Sequence, residues 1–218
     1  MQETYYHIYN RGAHKAPIFQ DGSDYWRMLK LLYIANNTEP FEINNFGEKN
    51  IFTIERKCPL VNIVAYCLMP NHFHIALKLR EASPPENTIT RFIHKLCTGY
   101  SGYFNRKYDH SGTIWQGPFK KKDVYDKDYI ETLVPYIHLN PYGIKVPDMT
   151  KEARAEHRAE AIEYSKNYEY SSFKDFLGES RQQTPILFRE ASPPEKGSLP
   201  AFPPNSSPIY HISQKTPE

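Results

Sequence analysis

An apolar run, Val61–Met69, stops at Pro70-Asn71 and gives way to His72–Leu79, where polar and apolar residues alternate. Nothing else in the chain restricts the fold as much. Alternation with period two is that of a strand with one buried face, and two such runs around a Pro-Asn corner read as a β-hairpin. The flanking segments supply further elements. Tyr5–Tyr9 reads as a short strand, and Ile51–Ile54 as another. Ser23 is placed to cap a helix carrying Tyr25, Met28, Leu29, Leu32 and Tyr33 on one stripe. Thr88–Tyr108 has Ile89, Phe92, Ile93, Leu96, Tyr100, Tyr103 and Phe104 at helical spacing. Ile114–Tyr125 is strand-like and basic, and Asp126–Leu139 carries a core stripe of Ile130, Leu133, Val134 and Ile137. Lys151–Lys166 is a charged, Ala-rich surface helix. Strands and helices interleave, with hairpins among them. The expected class is an α+β sandwich, an antiparallel sheet with helices packed on it.

Size and composition bound the function. The chain has 218 residues, enough for one core with extensions or two small domains. With 39% hydrophobic and 24% charged residues it reads as a soluble globule. No stretch reaches the roughly 20 apolar residues of a membrane span. The start, MQETYYHIYNRG, lacks a basic and then apolar signal, so the expected location is cytoplasmic. Cys58, Cys67 and Cys97 are an odd set without a CxxC pair, which argues against a disulfide framework and a zinc ribbon. The net charge of +2, from 27 Lys and Arg against 25 Asp and Glu, excludes a wholly basic nucleic-acid binder but not a local patch. From about Ser180 the chain is rich in Pro and Ser, so 180–218 reads as a disordered tail after a domain at 1–179. Loop insertions are expected at about 36–50 and 80–87. The string REASPPE occurs at Arg80–Glu86 and again at Arg189–Glu195.

Three groups of residues carry chemistry. His72 and His74 sit two apart on a strand, so they share a face about 7 Å apart along it, while Phe73 faces the other way. Two imidazoles at that spacing suit one metal ion, or simply the solvated side of a strand. In the second group, Tyr136 and Asn140 are four apart on the expected helix and lie beside its core stripe. A phenol beside a metal-bound phosphate is a nucleophile in waiting, although its ordinary pKa of about 10 demands help from a metal or a base. Pro135 would remove a helix hydrogen bond just before Tyr136, and His138 lies further round the helix. The third group is basic and aromatic. Trp115 and Phe119 precede Lys120, Lys121 and Lys122, an arrangement that fits stacked bases and bound phosphates. Arg11, Lys95, Arg106 and Lys107 could extend it. The equal alternative is a lysine-protected strand edge with Trp115 in the core.

The ordered blocks YHIYNRG, YCLMPNHFHIAL, YFNRKY, SGTIWQGPFK, YIHLNP and YEYSSFKDFLG together resemble the single-tyrosine HUH transposases. The branch most alike is the REP-associated tyrosine transposases, linked to repeated extragenic palindromes. The resemblance covers most of Tyr5–Gly178. It implies a ferredoxin-like domain, with His72 and His74 as the histidine pair, Tyr136 as the nucleophile and Asn140 at the third metal-ligand position. Two imidazoles with an amide oxygen and open water positions suit Mg²⁺ or Mn²⁺, and the expected partner is single-stranded or hairpin DNA, for a monomer or homodimer with no membrane association. The implied activity is strand cleavage and rejoining through a 5′-phosphotyrosine link. Arg11, Trp115 and Lys120–Lys122 would contact the DNA. Two other classes fit the same residues less fully: a non-catalytic single-strand binding module, and a metal-dependent nuclease that uses water.

Overall fold

The computed structural model describes residues 4–40, 50–80, 87–124 and 127–188. Most of the expected insertions, the second REASPPE string and residues 189–218 lie outside them.

The central hairpin forms as its pattern demands. Strand β2 (Val61–Met69) pairs antiparallel with β3 (His72–Leu79), and β3 pairs with β1 (Tyr5–Arg11). A fourth strand, β4 (Lys120–Val124), pairs with β1, giving the sheet order β2-β3-β1-β4. Helix α1 (Gly22–Ile34) lies between β1 and β2 in the chain, and helix α2 (Thr88–Lys107) between β3 and β4. This order and connectivity is the ferredoxin-like arrangement, an antiparallel α+β sandwich.

One face of the sheet is the main core. Ile8, Tyr66, Leu68, Phe73, Ile75 and Leu77 point into it and meet the apolar stripes of α1 and α2. The α1 stripe is the expected one, but its cap is not. Asp21, not Ser23, is the cap: it accepts from the backbone N–H groups of Ser23 and Asp24, and Asp24 reaches back to the Asp21 N–H. A carboxylate that accepts from both of those amides satisfies helix-end donors that a Ser further into the helix cannot.

The other face carries helix α3 (Lys127–Leu139), whose Ile130, Leu133, Val134 and Ile137 pack on Ala65, Cys67, Met69 and Ala76. Covering on both faces explains why β2 is a continuous apolar run and not an alternating one. A bulge between Ile63 and Ala65 adds one residue to β2 and keeps the later residues in register with β3. Ala65 and Ala76 are cross-strand partners, and their small side chains let α3 approach closely. The helix runs unbroken through Pro135. The carbonyl left without an intrahelical donor belongs to Glu131, whose side chain is exposed, so water can take it.

Beyond α3 follow α4 (Tyr142–Lys145), α5 (Lys151–Glu156), α6 (Arg158–Lys166) and α7 (Phe173–Phe176). The single helix expected over Lys151–Lys166 is therefore two, divided at His157. Residues Tyr170–Ser172 run along the outer side of β2. The Leu68 N–H donates to the Tyr170 carbonyl at 2.9 Å, and the Ser172 N–H to the Tyr66 carbonyl at 3.0 Å. That edge is thus protected.

Three further expectations need correction. Ile51–Thr53 is a 3-10 turn, not a strand, with its buried Ile51 and Phe52 packed in the main core. Among the described residues of Ile114–Tyr125 only Lys120–Val124 forms a strand, and Trp115 turns inward. The packed domain also extends past residue 179. Arg181 donates to the carbonyls of Glu169 and Ser171 and to the Asp175 carboxylate, and Ile186 is 1% exposed in the main core. A buried ion pair and a buried isoleucine outweigh the polar composition of this short stretch.

Candidate active site

Directly opposed residues in a sheet share a face. The register therefore sets out rows across the sheet beneath α3. Met69, His72 and Arg11 form one row. Cys67, His74, Tyr9 and Lys120 form the next, and Ala65, Ala76, His7 and Lys122 the third. The opposite face takes Tyr66, Ile75, Ile8 and Lys121. Small and apolar members lie under α3, and polar members continue the same face towards β4.

The histidine pair is at the corner end of β3, as the sequence places it. The ring centroids of His72 and His74 are 5.1 Å apart, with planes at 86°. Tyr136 on α3 reaches this pair. Its ring lies 5.6 Å from His74 and 6.0 Å from His7, edge-on to both. Asn140, one turn on, closes the helix by donating its Nδ2–H to the Tyr136 carbonyl at 2.8 Å. That bond orients the amide, so Oδ1 is the atom available to a cation.

His7 is a site residue that the sequence reading passed over. Its Nε2 lies 2.9 Å from His74 Nδ1. Burial first, and then the Lys122 charge, push its pKa down to about 4, so the ring is neutral near pH 7. The signal was present: Tyr5, His7, Tyr9 and Arg11 recur with period two on one strand face. Asn71 was also passed over. Its Oδ1 is 2.7 Å from His72 Nδ1.

The remaining candidates divide. Arg11 is exposed and opposite His72. Lys120 and Lys122 share the site face, but Lys121 projects to the other one, where it pairs with Asp123 at 3.3 Å and lies over the Tyr6 ring. The lysine run is therefore not one patch, because strand geometry alternates it. Trp115 is 8% exposed, its ring packs on Phe73 and Tyr100, and its Nε1–H donates to Ser101 Oγ at 2.9 Å. As a base-stacking platform it is corrected: it is a core residue. His138 is no ligand either. It is fully buried, stacks on Phe173, and its Nε2 meets Ser172 Oγ at 2.8 Å. It locks α3 to α7.

The donor set fits a divalent cation in its chemistry, with two imidazoles and one amide oxygen on adjoining elements. Among the described residues, no group of three or more His, Cys, Asp or Glu side chains is placed to hold a metal ion. A cation here would depend on the histidine pair and Asn140.

Residues 48–140 match the family model described as transposase IS200-like, a stretch that begins before β2 and ends at Asn140. Over this stretch the chain is similar to the IS200-like transposases. His72, His74, Tyr136 and Asn140 all fall inside the IS200-like segment, whereas β1 with His7 and Arg11 precedes it. No curated protein sequence matches the chain. Solved structures that are similar to it include two transposases. One is a REP-associated tyrosine transposase bound to a REP hairpin, 13% identical, covering 91% of this chain and 93% of that one, with a TM-score of 0.48. The other is a candidate transposase from Deinococcus radiodurans R1, 14% identical, covering 63% of this chain and 90% of that one, with a TM-score of 0.35. The fold assignment rests on the strand order of the chain itself. Among the described residues no helix is long and apolar enough to cross a membrane.

Proposed function

We propose that this chain cleaves and rejoins single-stranded DNA, at or near hairpins, through a covalent link to Tyr136. What supports this most is the edge-on placement of the Tyr136 ring against His74, 5.6 Å between centroids, with His72 beside it. A strand-borne histidine pair and a helix-borne phenol have no structural need of one another. A binding module would require neither.

His72, His74 and the Asn140 amide oxygen would hold a divalent ion, Mg²⁺ or Mn²⁺. When bound, that ion would supply Lewis acidity, which polarises the scissile phosphate and stabilises the negative charge that develops in the transition state. The protein's own residues do the rest. Tyr136 Oη attacks phosphorus in line. The tyrosyl O–P bond forms as the bond to O3′ breaks. The leaving O3′ takes up a proton to balance the one lost by the phenol. The product is a 5′-phosphotyrosine link and a free 3′-OH, so the phosphodiester is conserved and a second 3′-OH can reverse the step. Arg11, Lys120 and Lys122 would bind neighbouring phosphates from the same face. A phosphate must enter between α3 and the sheet, which suits an unpaired strand and not a stacked duplex. The domain that does this extends from the first strand to about Phe188.

Incubation of the full chain with 3′-labelled single-stranded hairpin DNA and Mn²⁺, followed by denaturing gels, tests the reading. Labelled DNA that stays with the protein through denaturation and is released by protease is the expected result. Cleaved DNA with a 5′-phosphate unattached to protein would replace Tyr136 with water as nucleophile. Binding without cleavage would leave a reader of single strands.

A further inference from the structure

Each histidine of the pair engages a second side chain through Nδ1. His72 Nδ1 lies 2.7 Å from Asn71 Oδ1. His74 Nδ1 lies 2.9 Å from His7 Nε2. These two contacts come from different parts of the chain, one from the hairpin corner and one from the neighbouring strand. We infer that Asn71 and His7 are positioning residues that hold the Nδ1–H of His72 and His74, so that both rings present the Nε2 lone pair to one divalent cation. The inference rests on the metal reading above and deepens it.

The Asn71 contact is determined by its surroundings. An amide oxygen only accepts, so His72 must carry its proton on Nδ1. The amide cannot be turned over without loss, because Asn71 Nδ2 donates to the Lys15 carbonyl at 3.0 Å. The corner itself is clamped. The Gly12 N–H donates to the Asn71 carbonyl at 2.8 Å, and the Ile18 and Phe19 N–H groups donate to the Pro70 carbonyl at 2.8 and 3.1 Å. Gly12 permits the tight turn that carries Ile18 to this corner, since a Cβ there would lie 2.3 Å from the Ala16 carbonyl oxygen and 2.8 Å from Ile18 Cγ2. A rigid corner thus fixes the acceptor, and the acceptor fixes the ring.

The His7 contact has two settings. If His7 donates, His74 carries its proton on Nε2 and offers no lone pair there. If His74 donates from Nδ1, its Nε2 is the ligand atom and His7 carries its own proton on Nδ1. A cation on His74 Nε2 selects the second setting. His7 is 7% exposed, which keeps solvent from competing for the bond. Partners of this kind hold ligand imidazoles in one tautomer and orientation.

Mn²⁺ titration of the full chain, with free ion measured by electron paramagnetic resonance, tests this without DNA or turnover. His7→Phe keeps a ring and removes the acceptor, and Asn71→Leu does the same for an amide. Each should weaken Mn²⁺ binding about 10–100-fold. The acceptor-retaining His7→Gln and Asn71→Asp should bind within a few-fold of wild type. Wild-type affinity in folded His7→Phe and Asn71→Leu overturns the inference. The His72→Ala/His74→Ala double variant separates the two layers: if it binds Mn²⁺ like wild type, the metal reading itself fails and takes the inference with it. Should the Phe and Leu variants not fold, ¹⁵N imidazole spectra of the wild type with Mg²⁺ decide. Nδ1–H signals for both His72 and His74 support the inference, and an Nε2–H signal at either one overturns it.

Discussion

The Tyr136 ring stands edge-on to His74, with centroids 5.6 Å apart and planes at 73°. One residue belongs to α3 and the other to β3, and nothing local brings them together. The contact exists because Ile130, Leu133, Val134 and Ile137 seat the helix over Ala65 and Ala76, where the sheet has little side-chain bulk. The phenol is then carried past the edge of that apolar seat to the polar rows of the same face.

Replacing Tyr136 by Phe keeps the ring contact and removes only the hydroxyl. Folding and DNA affinity should be unchanged, and no covalent complex should form in denaturing gels. Tyr129→Phe, a control one heptad earlier, should leave the complex intact.

The alternation of β4 makes a prediction about charge. Lys120→Gln and Lys122→Gln should each weaken binding to every single strand alike and flatten the salt dependence by about 0.7 for each phosphate no longer neutralised. Lys121→Gln, on the opposite face, should leave the slope as it is. Affinity measured across a salt series distinguishes them.

Trp115→Ala should act on stability first. Removing a buried tryptophan costs about 3–5 kcal/mol. Urea unfolding should shift accordingly. Trp115→Phe should recover most of the packing but not the bond to Ser101, and its DNA affinity should match wild type.

His138 predicts a pH dependence. Burial, and then Arg181, press its pKa down to about 3. The unfolded chain therefore binds this proton more readily than the folded one. Its contribution is complete above about pH 6.5 and is lost as pH falls from there towards 3, with a slope of up to about 1.4 kcal/mol per pH unit. His138→Gln keeps a partner for Ser172 and cannot titrate. Urea midpoints between pH 7 and 5 should fall less steeply in that variant than in wild type.

Truncation locates the end of the domain. A chain ending at Phe188 should melt like the full chain and still cleave. A chain ending at Gly178 loses the Arg181–Asp175 pair and buried Ile186, and should melt at a clearly lower temperature. Leaving the Asp175 carboxylate buried without its partner is the main cost.

The hairpin, the stripes of α1, α2 and α3 and the antiparallel α+β class were legible in the sequence, because each depends on periodicity within one segment. The common face of His72 and His74, and that of Tyr136 and Asn140, were legible too, since spacing on a strand or a helix assigns residues to a face. Composition misled where a few long-range contacts outweighed it. Arg181–Leu187 is polar in type but is anchored by Asp175 and Ile186, and Trp115 lies beside lysines in sequence but beside Phe73 in space. The split of Lys121 from its neighbours followed only once β4 was known to pair with β1. The bond from His7 to His74 needed the tertiary structure most. A hydrogen bond between strands depends on register, and register is decided by which faces the whole molecule can bury.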